Sequence, residues 1–196
     1  MKKQSTEIRQ EQIKQAVIDI VYTDGLKGLS TRNLAKKIGM SEGAIFRHFN
    51  TKKDIILAII HDVQRDFIGA LRAIAGSGKE PAKKLNEFIC QTVTYLVENK
   101  GITMLLFSES SQNNDEELKT NLLQIFNDQK QLVSKIIYEG IEADIWNKSI
   151  PVENIAMLYM GIPVSLNIEL ILNNGELHIN NFCSRMMQLL LKILDK

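Results

Sequence analysis

Apolar residues recur along this chain at the three-and-four spacing of helices and almost nowhere at the alternation of a strand. In the first segment Ile13, Val17, Ile20 and Val21 fall at i, i+4, i+7 and i+8, one stripe on one helix face. That helix is predicted to end at Gly25, because glycine takes the left-handed conformation just past a helix without a Cβ clash. Two short helices follow, then a longer one starting at Thr51. Asp54, three residues on, makes a capping box with the shorter acid, ahead of Ile55, Ile56, Ala58, Ile59 and Ile60. The stretch AGSGKEP at 75–81 interrupts the pattern, and Pro81 suits a first helical turn because its missing N–H would have no partner there. Beyond it the spacing predicts helices over 81–99, 102–109, 115–139, 152–172 and 179–194, some separated by the polar loops SSQNND and NNGE.

One of these helices has no polar side. The segment 155–172, IAMLYMGIPVSLNIELIL, is apolar nearly all round, yet it carries Pro163, Asn167 and Glu169. It falls short of the ~20 apolar residues that a bilayer asks for, so it reads as a helix covered by its own chain together with a second subunit.

Composition fits that reading, since 196 residues at 44% hydrophobic and 24% charged leave room for one generous globular domain or two small ones. The opening MKKQSTEIRQEQ lacks the apolar core of a secretory signal, and the protein is expected in the cytoplasm. Cys90 and Cys183 lie far apart with no CxxC or Cys/His cluster, so neither zinc nor a disulfide framework is expected, and both read as small buried apolar residues. The net charge of +1 divides unevenly: residues 1–54 hold 11 Lys/Arg against 6 Asp/Glu, a balance of +5, and the remainder carries −4. A basic end on an otherwise acidic chain points to a polyanion at that end.

The candidate chemistry lies in STRNLAKKIGMSEGAIFRHFNTKKD, Ser30 to Asp54. Ser30 caps a helix with Leu34, Ala35 and Ile38 on one face, Gly39 permits a sharp exit, and Ser41 caps a second helix with Ile45 and Phe49 at i, i+4. Ala35 is small enough for two helices to cross closely, and the spacing is that of a helix-turn-helix. With Ile45 and Phe49 inward, Glu42, Gly43, Ala44, Arg47 and His48 lie on or beside the face that would enter the major groove. Gly43 and Ala44 let the backbone near base edges, Arg47 can grip guanine in a bidentate manner or bind phosphate, and the helix starts at Thr31 and Ser41 offer free N–H groups to phosphate. Lys36 and Lys37 read as solvated surface, His61 and His178 as surface or satisfied residues, and Lys2 and Lys3 as either an arm near the minor groove or a disordered terminus.

In these residues the sequence resembles the TetR family of bacterial transcriptional regulators. The family pattern is a capped helix, then Gly, a small apolar residue, Ser, any residue, Gly, and an aromatic-x-His-Phe run followed by Ser/Thr-Lys. It appears here as LSTRNLAKKIGMSEGAIFRHFNTKKDI. The resemblance implies that Thr31 and Arg32 contact phosphate or a base, that Glu42, Gly43 and Ala44 approach bases, and that Arg47, His48 and Lys52 touch backbone or base edges. Phe46 stands where the family usually has Tyr, so a hydroxyl that commonly reaches phosphate is missing. Glu42 either accepts from cytosine N4 or favours the helix dipole. The implied fold is all-α: an N-terminal three-helix helix-turn-helix head at 1–51, then a larger helical ligand-binding and dimerisation domain at 52–196, with 52–75 as connecting helix.

Mid-chain, Phe88, Tyr95, Met104, Phe107, Phe126, Met157, Tyr159 and Met160 either line an apolar pocket or are plain core. That a pocket for a small apolar ligand exists in this region is implied by the resemblance. The expected partners are double-stranded DNA carrying a palindromic operator, that ligand and a second copy of the chain, with no membrane, cofactor or metal. The homodimer would be a four-helix bundle of the last two long helices, through Ile155, Leu158, Ile162, Leu166, Leu170, Met186, Leu190 and Ile193. No HExxH, P-loop, GxGxxG or GxSxG occurs, and an enzyme is not expected. The expected function is a ligand-responsive transcriptional regulator, a repressor that leaves its operator when the ligand binds. The alternative is a helical small-molecule or protein-interaction module whose helix-turn-helix no longer reads DNA.

Overall fold

The structure, a computed structural model, describes residues 5–100, 102–112, 115–173 and 181–195. The arm expected at Lys2 and Lys3, His178, and the expected helix start at 179 lie outside these residues. Regular structure among the described residues is entirely helical: α1 Thr6–Asp24, α2 Thr31–Ile38, α3 Glu42–Ile45 and α4 Lys52–Asp62 come first. A π-helical segment, Val63–Ile68, carries α4 into α5, Gly69–Ala75. Then follow α6 Pro81–Glu98, α7 Ile102–Gln112, α8 Glu116–Glu142, α9 Val152–Leu172 and α10 Phe182–Leu194. The chain divides into two compact units, one of Met1–Val63 with Asn99–Leu122 and one of Gln64–Glu98 with Leu123–Lys196.

In the first unit α1 packs on α2, α4 and α7. Its stripe of Ile13, Val17, Ile20 and Val21 is buried, as are Leu34, Ala35, Ile45, Phe49, Ile55, Ile56, Ile59 and Ile60. Burying each large apolar side chain is worth ~1.5–3 kcal/mol, which holds helices as short as α2 and α3 that propensity alone would not. Gly39 closes α2 at φ +65°, and the Met40 N–H reaches back to the Ala35 carbonyl at 2.9 Å. Two charges are buried in this unit among the described residues, Glu109 of α7 and Lys14, whose Nζ donates to Glu11 at 2.6 Å and to Asp62 on α4. Burial works against the Lys14 charge, but the hydrogen bonds to Asp62 and Glu11 outweigh it and hold the Lys14 pKa above its ordinary value.

In the second unit α6 packs against α5, α9 and α10. Phe88, Ile89, Val133, Ile136, Ile137, Leu166, Leu190 and Leu194 fill the interior. Tyr159 is buried there with its hydroxyl donating to the Leu85 carbonyl at 2.5 Å. The only tryptophan, Trp146, is 1% exposed and lies flat on Gly140, where an added Cβ would come within 2.1 Å of the indole. The next residue, Asn147, donates its N–H to the carbonyl of Leu194 at 3.0 Å, tying the α8–α9 turn to the end of α10.

The expected bounds of α9, 152–172, hold. Its inward side does not match the expected dimer seam. Ile155, Leu166, Leu170 and Leu190 are buried in their own chain, Ile162 and Met186 are half-buried, and only Leu158 and Ile193 of the eight are exposed. What α9 leaves uncovered is Met157, Leu158, Val164, Ile168 and Leu172, and α10 adds Leu189 and Ile193. A helix with no polar side offers no periodicity by which to choose its inner face. The same composition makes α9 long and apolar enough to cross a membrane, although 44% of its most apolar window is buried against the protein.

Candidate nucleic-acid interface

Three capped helix starts set the geometry of the head. The Ser30 hydroxyl accepts from the Asn33 N–H at 3.1 Å, and the Ser41 hydroxyl accepts from the Ala44 N–H at 3.2 Å. At α4 the capping box is complete: Thr51 Oγ1 accepts from the Asp54 N–H at 3.1 Å while the Asp54 carboxylate accepts from the Thr51 N–H at 3.0 Å. Such caps are worth about 1 kcal/mol each. They fix where each helix begins, and therefore which residues the turn between α2 and α3 presents. α3 itself is short, and the chain continues from it in turns closed by the His48 and Phe49 N–H groups on the Ile45 carbonyl.

Of the nine residues expected to meet DNA, Arg32, Ser41, Glu42, Gly43 and Arg47 are exposed, whereas Thr31, Ala44 and His48 are half-buried. Neither guanidinium, of Arg32 or of Arg47, makes an ion pair with any described residue. A Cβ placed on Gly43 meets nothing within 4 Å, so the helix surface there is open to an approaching duplex. His48 is held in the fold by its main chain, whose carbonyl accepts from Gln10 Nε2 at 3.1 Å, and its ring Nδ1 is buried without a hydrogen bond. Phe46 is 47% exposed.

Lys52 stands differently from the arginines. Its ammonium is paired with Glu109 of α7 at 2.7 Å, and the neighbouring Lys53 is paired with Asp115 and Glu117 at 2.8 Å each. The Lys53 ammonium, opposed by partial burial and helped by the Leu118 N–H, holds the Asp115 carboxyl below the usual carboxylate range. Lys52 therefore reaches a phosphate only by giving up Glu109. This arrangement was missed in the sequence, where nothing local links residues more than fifty positions apart.

The eight mid-chain residues divide between the two units. Phe88, Tyr159 and Met160 are buried in the second unit, with Phe88 and Tyr159 edge-on at 6.0 Å between ring centroids. Tyr95 stacks on Phe67 at 4.3 Å, and Phe126 is half-buried. Met157 faces outward, and Met104 and Phe107 belong to the first unit, Phe107 being 68% exposed. An open cleft of about 690 Å³ on the second unit is lined by none of the eight. Lys130, Ser134, Tyr138 and Glu153 are among its lining residues. There Lys130 pairs with Glu153 at 2.7 Å and holds that carboxyl below its ordinary range.

Capped α2 and α3 and the glycine turn between them form a helix-turn-helix, with the arginines on it unpaired among the described residues. Residues 19–59 match the family described as bacterial regulatory proteins, tetR family. Over those residues the chain is similar to that family, and its overall fold is like that of solved regulators of the TetR family. A curated relative, the nucleoid occlusion factor SlmA of Actinobacillus pleuropneumoniae, is 27% identical over 127 residues. That match takes in 64% of this chain and 63% of the relative, so the chain spans less than two thirds of that protein's length. Among solved structures, the fatty acid degradation regulator FadR from Bacillus halodurans superposes with a TM-score of 0.76 at 16% identity, covering 97% of both chains. FadR from Bacillus subtilis, in complex with stearoyl-CoA, gives 0.72 at 18% identity over 92% of this chain and 96% of that one. At such identities the likeness is one of fold.

Proposed function

We propose that this chain is a homodimeric transcriptional repressor of the cytoplasm that binds a palindromic operator through its head and releases it when a small, largely apolar molecule binds the C-terminal region. The observation that carries the DNA reading is the pair of exposed, unpaired guanidiniums, Arg32 and Arg47, on the two halves of a capped helix-turn-helix. Operator symmetry follows from dimer symmetry, with half-sites about 34–36 Å apart or a multiple of that. The uncovered apolar residues of α9 and of α10 support the second copy, since exposed apolar surface is where soluble helical proteins meet partners. The stearoyl-CoA bound by the Bacillus subtilis neighbour supports an apolar ligand class.

Release requires only that the ligand prefer one arrangement of the heads, and couplings of this kind are typically ~1–3 kcal/mol. The helix from Lys52 to Ala75 carries the change, with its π-helical segment at Val63–Ile68 as the soft point, because π turns hold an extra residue that neighbouring turns can absorb. The Lys52–Glu109 pair adds a second link, tying the phosphate-seeking end of α4 to α7.

The test is a mobility shift on the DNA upstream of the protein's own gene, repeated across salt. Affinity should fall with log salt at about −0.9 per neutralised phosphate. A flat response, or no shifted band, would remove DNA as the partner.

A further inference from the structure

We propose that Glu109, Asp115 and Glu117 are an autoinhibitory stand-in for DNA phosphate: they occupy the ammonium groups of Lys52 and Lys53 and so hold down the affinity of the head for duplex DNA. That role rests on the DNA-binding reading above. Under it Lys52 is a cation withheld from the duplex, and Glu109 is what withholds it.

All five residues belong to the first compact unit. Lys52 and Lys53 are the first two residues of α4, directly behind the Thr51 cap, and the next lysines or arginines along the chain after Arg47. Lys52 lines one small cleft together with Thr31 and Phe46, so it stands beside the helix-turn-helix in space as well as in sequence. From α7, Glu109 meets the Lys52 ammonium at 2.7 Å, and from the start of α8, Asp115 and Glu117 each meet that of Lys53 at 2.8 Å. An ammonium holds a phosphate oxygen at about the same 2.7–2.9 Å, so each carboxylate takes a place on its lysine that suits the DNA backbone. Three carboxylates meet two ammoniums here, and the balance among these side chains is negative where a duplex would press its own negative charge.

Burial makes the clamp on Lys52 hard to exchange. The Glu109 side chain is 11% exposed, against 50% for that of Lys52. A lysine that swung out to a phosphate would strand a mostly buried carboxylate without that cation, and this costs more than one solvent-exposed ion pair returns. Glutamine at position 109 keeps the shape and an oxygen for the ammonium but drops the charge, which makes Lys52 available to DNA. Phosphate contacts carry no sequence information, so the gain extends to any duplex.

The experiment is a mobility shift of the full chain across salt on two labelled duplexes, the DNA upstream of its own gene and an unrelated one of equal length. Glu109→Gln should bind both about 3- to 10-fold more tightly at low salt, with a salt slope steeper by about 0.9 for the added phosphate. Adding Lys52→Met to Glu109→Gln should abolish both changes. A gain that survives in that double variant, a gain on one duplex only, or unchanged binding by a folded Glu109→Gln would each overturn the proposal while leaving the DNA reading in place. No shift of either duplex by any form would remove the DNA reading and the proposal with it. Should Glu109→Gln not fold, Glu117→Gln, on a side chain 56% exposed, decides the matter through Lys53: binding about 2-fold tighter on both duplexes supports the clamp, and equal binding sinks it.

Discussion

The two compact units differ in what they leave without a partner. In the first, the lysines of the interior and of the α4 start are engaged: Lys14 with Glu11 and Asp62, Lys52 with Glu109, Lys53 with Asp115 and Glu117. Its two exposed arginines at the helix-turn-helix are not engaged. In the second unit Lys84 is paired with Glu139 at 2.6 Å and Lys130 with Glu153, and large apolar side chains stand uncovered: Leu158, Val164, Ile168 and Leu172 on α9, Leu189 and Ile193 on α10. Protein surfaces rarely show a contiguous apolar stripe without a use for it, and free cations at a helix turn suit a polyanion. The contrast fits the two partners proposed above, a nucleic acid for one unit and an apolar surface for the other.

Four substitutions test that contrast, and the largest effect is expected on the apolar side. Ile168→Glu places a charge on a residue that is 53% exposed in the single chain, so the fold should survive. A two-fold interface would bury that charge twice, which costs about 3–5 kcal/mol or more, a loss of at least roughly 10²-fold in dimer affinity. Light scattering on the 22.3 kDa chain should then report monomer for the variant and a dimer for the unmutated protein. Unchanged mass would leave the stripe without its assigned role.

Next comes the buried lysine of the first unit. Asp62→Asn leaves Lys14 with Glu11 alone, and a denaturant melt should show a loss of about 2–3 kcal/mol, below the full cost of an unpaired buried charge because Asp62 is partly exposed. The pH dependence follows from sign. The folded pKa of Lys14 is raised above 10.5, so its contribution is complete below that pH and fades as pH climbs through the raised value. An alkaline melt should therefore destabilise the unmutated protein more than Asp62→Asn.

Arg47→Ala should cost about 1–3 kcal/mol of DNA affinity, roughly 10- to 100-fold, with the melting temperature unmoved, because the side chain supports nothing else in the fold. Equal binding by the variant would detach the free cations from DNA recognition. The smallest effect is expected from Phe46→Tyr, which adds a hydroxyl to an exposed ring and should tighten binding by about 0.5–1 kcal/mol in a filter-binding assay if a phosphate lies within reach.

What the sequence disclosed follows the range of the forces involved. The caps at Ser30, Ser41 and Thr51 act over three residues, and the structure has each of them. The end of α2 at Gly39 is equally local. The faces of α9 were not legible, since Ile155 and Leu158 look alike until the neighbours of each are known. Neither was the Lys52–Glu109 pair. These are contacts between distant segments, and a single chain read in order carries no local mark of them. For the eight mid-chain aromatic and Met residues, too, helical spacing says that a residue faces something, without saying which unit supplies it.

The stacking of Trp146 on Gly140 has a practical consequence for all of these measurements. As the sole indole in the chain, sealed between the end of α8 and the start of α9, it is a built-in optical reporter of one unit only. Its emission should shift to the red when that unit opens and stay fixed when the DNA-binding head alone melts. The two units can thus be followed separately in one cuvette, without a label.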